Sequence, residues 1–287
     1  MSEQVIVVTA EAPLEDAALA KVQARAGGAV AGFLTRRGAG AAEFPINAPV
    51  ELEALRKGLG VDVNIVPVQG RRKSVLIADM DSTMIPVECI DELADFAGVK
   101  PKVAAITEAA MRGELDFEEA IDARVALLRD LPVSVLQECY DTRISLNPGA
   151  QALISGVNAA GGRTALVSGG FTFFTERVAA AAGFQSHQAN VLENDGAVLS
   201  GTVKRPILGQ SAKAEALDAL CAERGVSAEQ VVAIGDGAND LAMIRKAGLG
   251  IAYRAKPALR AEADAILDHS DLTAVLALID LPIPQGD

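Results

Sequence analysis

The chain has 287 residues, half of them apolar, enough to bury a substantial core and to divide into two folding units. Its 26 basic and 38 acidic residues leave a net charge of −12, which repels nucleic-acid backbones and anionic membrane surfaces and argues against both as partners. Three dispersed cysteines without a CxxC pair, and only two histidines, His187 and His269, argue against a disulfide framework, a zinc site and a Ser/His/Asp triad.

The opening MSEQVIVVTAEAPLED has no basic stretch ahead of its apolar run and does not read as a secretion signal. No apolar run reaches the ~18 residues of a membrane span, and the odd number of dispersed cysteines makes a reducing cytoplasm the expected location. Within residues 1–70 two strand-like runs, VIVVTA at 5–10 and VDVNIVPV at 61–68, flank an alanine-rich helical stretch and a glycine-rich turn region. They predict a small α+β unit. Gly70 and the basic triplet Arg71, Arg72, Lys73 mark its end, and residues 71–287 form the second unit, whose chemistry is expected not to need the first.

From residue 74 short apolar runs (SVLIAD, TALVSGG, VVAIGDG, LGIAY, AILD) alternate with amphipathic stretches. Buried parallel strands have this pattern, and the alternation predicts an α/β fold with a doubly wound parallel sheet. About 85 residues part Asp79 from the TALVS run, far more than one crossover needs. Helical spacing near 87–97, 101–111, 117–129 and 133–140 fills the gap, with Pro86, Pro101 and Pro132 as starts and Gly98 and Gly113 as stops. It predicts a helical cap inserted over about 86–146 and closing near Asn147-Pro148-Gly149. Asp195-Gly196, inside QANVLENDGAVLSGTV, predicts a β-ribbon beside the main sheet.

Three polar clusters end buried strands: DMDST at 79–83, SGG at 168–170 and GDGAND at 235–240. Ligands bind at that edge of an open α/β sheet, so the clusters can converge. Phosphomonoester chemistry needs a nucleophile, counter-charge for the phosphoryl oxygens and a proton for the departing alkoxide. Asp79 can attack phosphorus and form a mixed anhydride. Asp81, two residues on, can protonate the leaving oxygen and then activate water, provided its surroundings lift its pKa above the ordinary ~3.9. Asp236 and Asp79 offer the hard oxygen ligands that Mg²⁺ accepts, with Asp240 behind them on the metal side and Asn239 on the phosphate side. Ser168, Gly169 and Gly170 lead into a helix near Phe171 and can cradle phosphate oxygens with backbone N–H groups and a hydroxyl. Lys213 supplies a point charge between the phosphoryl oxygens and Asp79.

Taken together, DMDST, SGG, Lys213 and GDGAND resemble the four motifs of the haloacid dehalogenase superfamily, most closely its phosphoserine phosphatase family, from residue 74 to about 280. The resemblance implies Asp79 as nucleophile, Asp81 as general acid/base, and Mg²⁺ held by the Asp79 and Asp236 carboxylates and the Asp81 backbone carbonyl. It implies hydrolysis of the small phosphomonoester O-phospho-L-serine, the last step of serine biosynthesis. In the cap, Glu88 occupies the family position that receives the substrate ammonium and Arg124 the position that receives its carboxylate, while Met111 and Phe117 match an apolar wall. The first 70 residues are compatible with a reduced, amino-acid-sensing ACT-like domain, and the chain with a homodimer. Relatives with the same motifs act on phosphohomoserine or on pyrimidine-biosynthesis phosphates, and a phosphotransferase would share the covalent intermediate. A non-catalytic amino-acid-sensing protein is a third reading, opposed by the joint presence of Asp79, Asp81, Lys213 and Asp236.

Overall fold

The computed structural model describes residues 3–111, 114–209 and 211–284, with Met111 described by its backbone alone. The N-terminal unit runs β1 (Gln4–Thr9), α1 (Asp16–Ala26), β2 (Thr35–Arg36), β3 (Ala41–Ile46), α2 (Leu52–Arg56) and β4 (Asp62–Pro67). Its sheet is antiparallel in the order β2-β3-β1-β4. The expected two strands are therefore four. β3 escaped notice because AAEFPI carries a proline, which is unusual inside a sheet. The Pro45 carbonyl accepts the Ala31 N–H at 2.9 Å on the side away from β1, so its missing N–H also faces that side, beyond the end of β2.

The second unit continues with β5 (Val75–Ala78), the cap helices α3 (Cys89–Phe96), α4 (Lys100–Met111), α5 (Phe117–Ala126) and α6 (Ser134–Arg143), then α7 (Ala150–Ala159), β6 (Arg163–Phe171), α8 (Thr172–Ala182) and β7 (Ser186–Asn190). After β8 (Leu192–Asn194) and β9 (Leu199–Val203) come α9 (Ala212–Arg224), β10 (Val231–Gly235), α10 (Leu241–Lys246), β11 (Leu249–Tyr253), α11 (Pro257–Arg260), β12 (Ala265–Leu267) and α12 (Ala274–Leu278). The main sheet is parallel in the order β12-β11-β10-β5-β6-β7. The chain winds outward from β5 to β7 and then returns to β10 on the other side, so the order reverses beside β5. The helix stop assigned to Gly113 lies outside the described residues.

The β8–β9 ribbon differs in position from its expectation. It is hydrogen-bonded to the cap loop through Asp130 N to Leu199 O at 2.9 Å and Val133 N to Ala197 O at 2.9 Å, so it props the cap rather than flanking the sheet.

Strand alternation sorts the core. Val75, Ile77, Val231 and Ala233 face α9, α10 and α11, whereas Leu76, Ala78, Val232 and Ile234 face the layer of α7, α8 and α12. The N-terminal sheet covers the far side of α12: Val5, Val7, Ala41 and Val66 belong to that same cluster, while Ile6, Val8, Phe44 and Val63 pack on α1 and α2. α12 thus lies between two sheets, which is why its residues are apolar all round. No helix among the described residues is long and apolar enough to cross a membrane.

Candidate active site

β6, β5 and β10 are neighbours, so the loops at their ends open side by side at the carboxyl edge of the sheet. The Asp79 N–H bonds the Ile234 carbonyl at 3.0 Å, prolonging the ladder by one residue and fixing where the carboxylate points. The chain then turns sharply, with Ser82 at φ 55, a left-handed conformation uncommon outside glycine. The turn brings Asp81 beneath the start of α3. Its Oδ1 accepts the Cys89 N–H at 2.8 Å and its Oδ2 the Ser168 hydroxyl at 3.1 Å. Gly170 has to be glycine here, because a Cβ would lie 2.8 Å from Asp81 Oδ2. Its N–H donates to Ser168 Oγ at 2.8 Å. The strand β6 runs through the SGG cluster to Phe171 and α8 begins at Thr172, one residue later than expected.

Lys213, near the start of α9, joins two of these loops: Nζ lies 2.7 Å from Asp79 Oδ1 and 2.5 Å from Asp240 Oδ1, with all three residues buried. The other oxygen of Asp240 accepts the N–H groups of Asp236 and Gly237 at 3.0 and 3.1 Å, so this carboxylate stitches the GDGAND loop together. Gly235 permits the approach, since a Cβ there would come within 2.4 Å of the Asp240 carboxyl group. Asn239 Nδ2 reaches Asp79 Oδ2 at 3.3 Å.

The electrostatics follow from burial and crowding. Burial pulls the Lys213 pKa down, but Asp240 and Asp79 outweigh it, and the ammonium is held charged. Burial and then Asp240 push the Asp79 carboxyl well up, against the pull of Lys213. Burial, followed by the Glu88 carboxylate, lifts Asp81 to about 6. Burial lifts Asp236 to about 6 as well, against Lys256. Three carboxylates, from Asp79, Asp236 and Asp240, each bring an oxygen within 4.8 Å of the others, with one buried ammonium among them. That donor set fits a hard divalent cation. Both Asp240 oxygens are engaged by Lys213 and the loop amides, and Asp79 Oδ1 by Lys213 and the Met80 N–H; Asp79 Oδ2 carries one long contact, to Asn239 at 3.3 Å, and Asp236 Oδ2 one to Lys256 at 3.4 Å.

The cap supplies the opposite wall. Asp116 and Glu119 form a reciprocal capping box that starts α5 at Phe117, and Arg124 comes seven residues later on the same face. Phe117 closes over Gly169, where a Cβ would meet its ring at 3.1 Å. Arg124 is half-buried, with Nε on the Ala120 carbonyl at 3.0 Å; burial lowers its pKa against the pull of Asp91, Glu88 and Asp81. Glu88 stands immediately before α3, its side chain making no capping bond and instead accepting the Ser82 hydroxyl at 2.7 Å. Glu88 and Arg124 are not ion-paired with each other. The side chain of Met111, the other expected wall residue, lies outside the described residues. Phe117, Ser168, Gly169, Lys213 and Asn239 bound a small cavity of about 10 Å³ between the cap and the sheet edge, room for little more than a water.

Two participants were given no role from sequence, Ser82 although it lies inside DMDST. Ser82 orients Glu88 from a strained turn, and Lys256 brings its ammonium to 3.4 Å from Asp236 Oδ2 while its N–H bonds the Asp236 carbonyl at 2.8 Å.

This fold and this acidic, lysine-bridged edge define a hydrolase class in which phosphoryl groups are handled between carboxylates, a cation site and a helical cap. A family model for haloacid dehalogenase-like hydrolases matches residues 76–245. A phosphoserine phosphatase from Polaromonas sp. is 44% identical over 227 residues, covering 77% of this chain and 96% of that one. The solved structure of a HAD family hydrolase from Salmonella enterica serovar Typhi superposes with a TM-score of 0.86 at 31% identity, over 96% of this chain and 99% of that one. A phosphoserine phosphatase solved as an analogue of its phospho-aspartyl intermediate superposes with a TM-score of 0.66 at 39% identity, over 72% of this chain and 98% of that one. The chain belongs to the haloacid dehalogenase-like hydrolases, on their phosphoserine phosphatase branch, and is a phosphatase.

Proposed function

We propose that the chain hydrolyses O-phospho-L-serine to L-serine and phosphate through an aspartyl-phosphate on Asp79. The observation that carries the reading is the pairing of two half-sites: a phosphate cradle of Asp79, Ser168 and Lys213, and above it a cap bearing the separated opposite charges of Glu88 and Arg124. A zwitterionic amino acid esterified to phosphate matches both. The similarity to phosphoserine phosphatases, one solved with a phospho-aspartyl analogue, supports the same substrate and intermediate.

In the first step a carboxylate oxygen of Asp79 forms a bond to phosphorus as the phosphorus–ester oxygen bond breaks. The Asp81 carboxyl, lifted to about 6, gives its proton to the departing seryl oxygen. In the second step the Asp81 carboxylate takes a proton from water, whose oxygen attacks phosphorus and releases Asp79. Lys213, Ser168 and the Gly169 amide hold the equatorial oxygens, the Gly170 N–H orients the Ser168 hydroxyl, and Asn239 steadies the phosphate side of Asp79. Mg²⁺, held by the carboxylates of Asp79 and Asp236 and the carbonyl of Asp81 with Asp240 behind them, would add positive charge against the phosphoryl oxygens.

For Asp81→Asn the expected loss in turnover is roughly 10²- to 10⁴-fold. In the native enzyme, kcat/KM for phosphoserine divided by that for an aryl phosphate should fall as pH rises through about 6, since only the alkoxide needs the proton, whereas both phosphates titrate alike. The folded Asp81 pKa exceeds its unfolded value, so the stability its protonated form contributes is complete below about pH 4 and lost as pH rises through about 6. Asp81→Asn is accordingly expected to raise Tm at pH 7 while crippling turnover, and a ratio flat across pH 5–8 contradicts the acid role.

Specificity tests the substrate assignment. Arg124→Ala leaves the substrate carboxylate without a partner, a loss of roughly 2–5 kcal/mol in kcat/KM for phosphoserine. Phosphoethanolamine, which lacks the carboxylate, should lose almost nothing, and equal losses would mean that Arg124 serves cap closure instead. A panel including phosphothreonine and phosphohomoserine, with phosphate release compared in the presence of acceptor alcohols, fixes substrate breadth and separates hydrolysis from transfer.

A further inference from the structure

The N-terminal unit meets the catalytic unit through a row of polar side chains, and one part of that row acts on the edge of the catalytic sheet. β12 is an edge strand, with β11 on one side only. On its open side the wholly buried Asn64 supplies what a neighbouring strand would: Nδ2 donates to the Ile266 carbonyl and Oδ1 accepts the Ile266 N–H, both at 2.9 Å. Two residues earlier in β4, Asp62 accepts the N–H groups of Asp268 and His269 at 2.9 and 3.0 Å and the Ser270 hydroxyl at 2.6 Å. Side chains of β4 thus pair with β12 in place of a backbone.

β12 in turn fixes the segment that reaches the active site. The Leu267 carbonyl accepts the N–H of Arg254 at 2.8 Å, and Arg254 is held at φ 45, a left-handed conformation costly for a residue with a Cβ. Its guanidinium meets Glu11 of the N-terminal unit at 3.2 Å. Two residues on stands Lys256, with its ammonium 3.4 Å from Asp236 Oδ2. A strained residue persists only where its surroundings over-determine it, and here those surroundings are β12 and the unit that clamps it. The Lys256 N–H stays on the Asp236 carbonyl at 2.8 Å, so once β12 is loosened the relaxation of Arg254 re-aims the Lys256 side chain, whose ammonium then leaves the Asp236 carboxylate.

We propose that Asp62 and Asn64 are positioning residues which, through β12 and Arg254, keep the Lys256 ammonium on the Asp236 carboxylate and so weaken divalent-cation binding at the active site. The inference rests on the proposed assignment of Asp236 as a cation ligand. Lys256 both occupies an oxygen the cation would use and repels it by charge, and both effects act in one direction. The N-terminal unit therefore sets the concentration of Mg²⁺ at which the enzyme loads.

Calorimetric titration of the full-length, metal-free protein with Mg²⁺ tests this. Lys256→Met is expected to tighten binding roughly two- to five-fold, the worth of one partly exposed charge contact. Asn64→Ala should tighten it in the same direction and by no more than that, and should add nothing in the Lys256→Met background. Asn64→Asp, which keeps the acceptor and loses the donor to Ile266, gives the same reading if the alanine variant does not fold. Glu43→Gln, which weakens the same interface at Arg71 and away from β12, should lower Tm without moving the Mg²⁺ affinity. Unchanged affinity in both Asn64 variants, or a shift that persists undiminished with Lys256→Met, overturns the coupling. Loss of binding in Asp236→Ala checks the ligand assignment separately: if Mg²⁺ binds that variant as tightly as wild type, the active-site reading itself is wrong.

Discussion

Asp79→Asn is expected to abolish turnover, by on the order of 10⁴-fold or more, in a protein that stays folded. The substitution removes the attacking oxygen and one of the two carboxylates open to a cation, and nothing nearby replaces either. Asp81 is bound to Cys89 N–H and to Ser168, and both oxygens of Asp240 are consumed by Lys213 and the loop amides. The fold should tolerate the change because asparagine keeps an oxygen for Lys213 and for the Met80 N–H, which now bonds Asp79 Oδ1 at 2.8 Å. It also removes one carboxylate that burial and Asp240 disfavour. Rapid acid quench with labelled phosphoserine should trap phosphate on the wild-type protein and none on the variant. Phosphoprotein in Asp79→Asn, or turnover within about a hundredfold of wild type, would place the nucleophile elsewhere.

The gathering of Asp79, Ser168 and Asp236 at one edge was legible because each sits just past or at the end of a short apolar strand, and parallel strands open their carboxyl-end loops on one shared edge. Lys213 could be read with them because a buried cation was needed among them. Ser82 and Lys256 were not legible. Ser82 acts through a left-handed backbone that no local pattern announces, and Lys256 through a bond between two loops joined by a whole βα unit. The N-terminal unit misled for a different reason. In VDVNIVPV the alternation of Asp62, Asn64 and Val66 with Val63 and Ile65 looks like a strand with one wet face, yet Asp62 and Asn64 are buried against the catalytic unit. Periodicity reports which residues share a face and is silent on whether water or another sheet covers it. The cap was visible as four helical segments, but the support it receives from the β8–β9 ribbon depends on pairings between residues some 70 apart, such as Asp130 with Leu199.

Deletion of residues 1–70 is expected to yield a chain that aggregates or unfolds near room temperature, contrary to the expectation from sequence that the chemistry of residues 71–287 does not need the first unit. Arg71 is only 6% exposed, and its guanidinium bonds the Leu278 carbonyl at 2.9 Å, the Ala277 carbonyl at 2.5 Å and the Glu43 carboxylate at 2.7 Å, so the boundary residue is part of the interface. A solved phosphoserine phosphatase that this chain matches over 98% of its length aligns with only 72% of the chain, so a catalytic unit of this kind can stand without such an extension. In this chain α12 leans on the N-terminal sheet: Val275, Leu276, Ala277, Leu278 and Ile279 are all fully buried, with Val5, Val7, Ala41 and Val66 in the same cluster. Each aliphatic side chain returned to water costs about 1.5–3 kcal/mol, and a total stability of about 5–15 kcal/mol cannot absorb several of them. Deletion would also strip Asn64 and Asp62 from β12, leaving the backbone of an edge strand unpaired. The comparison is solubility, Tm and phosphate release of the fragment 71–287 against the full chain. A soluble monomer with a cooperative melt and kcat/KM within a few-fold of the parent would show that α12 can cover itself and that the N-terminal sheet is an ornament on the catalytic unit.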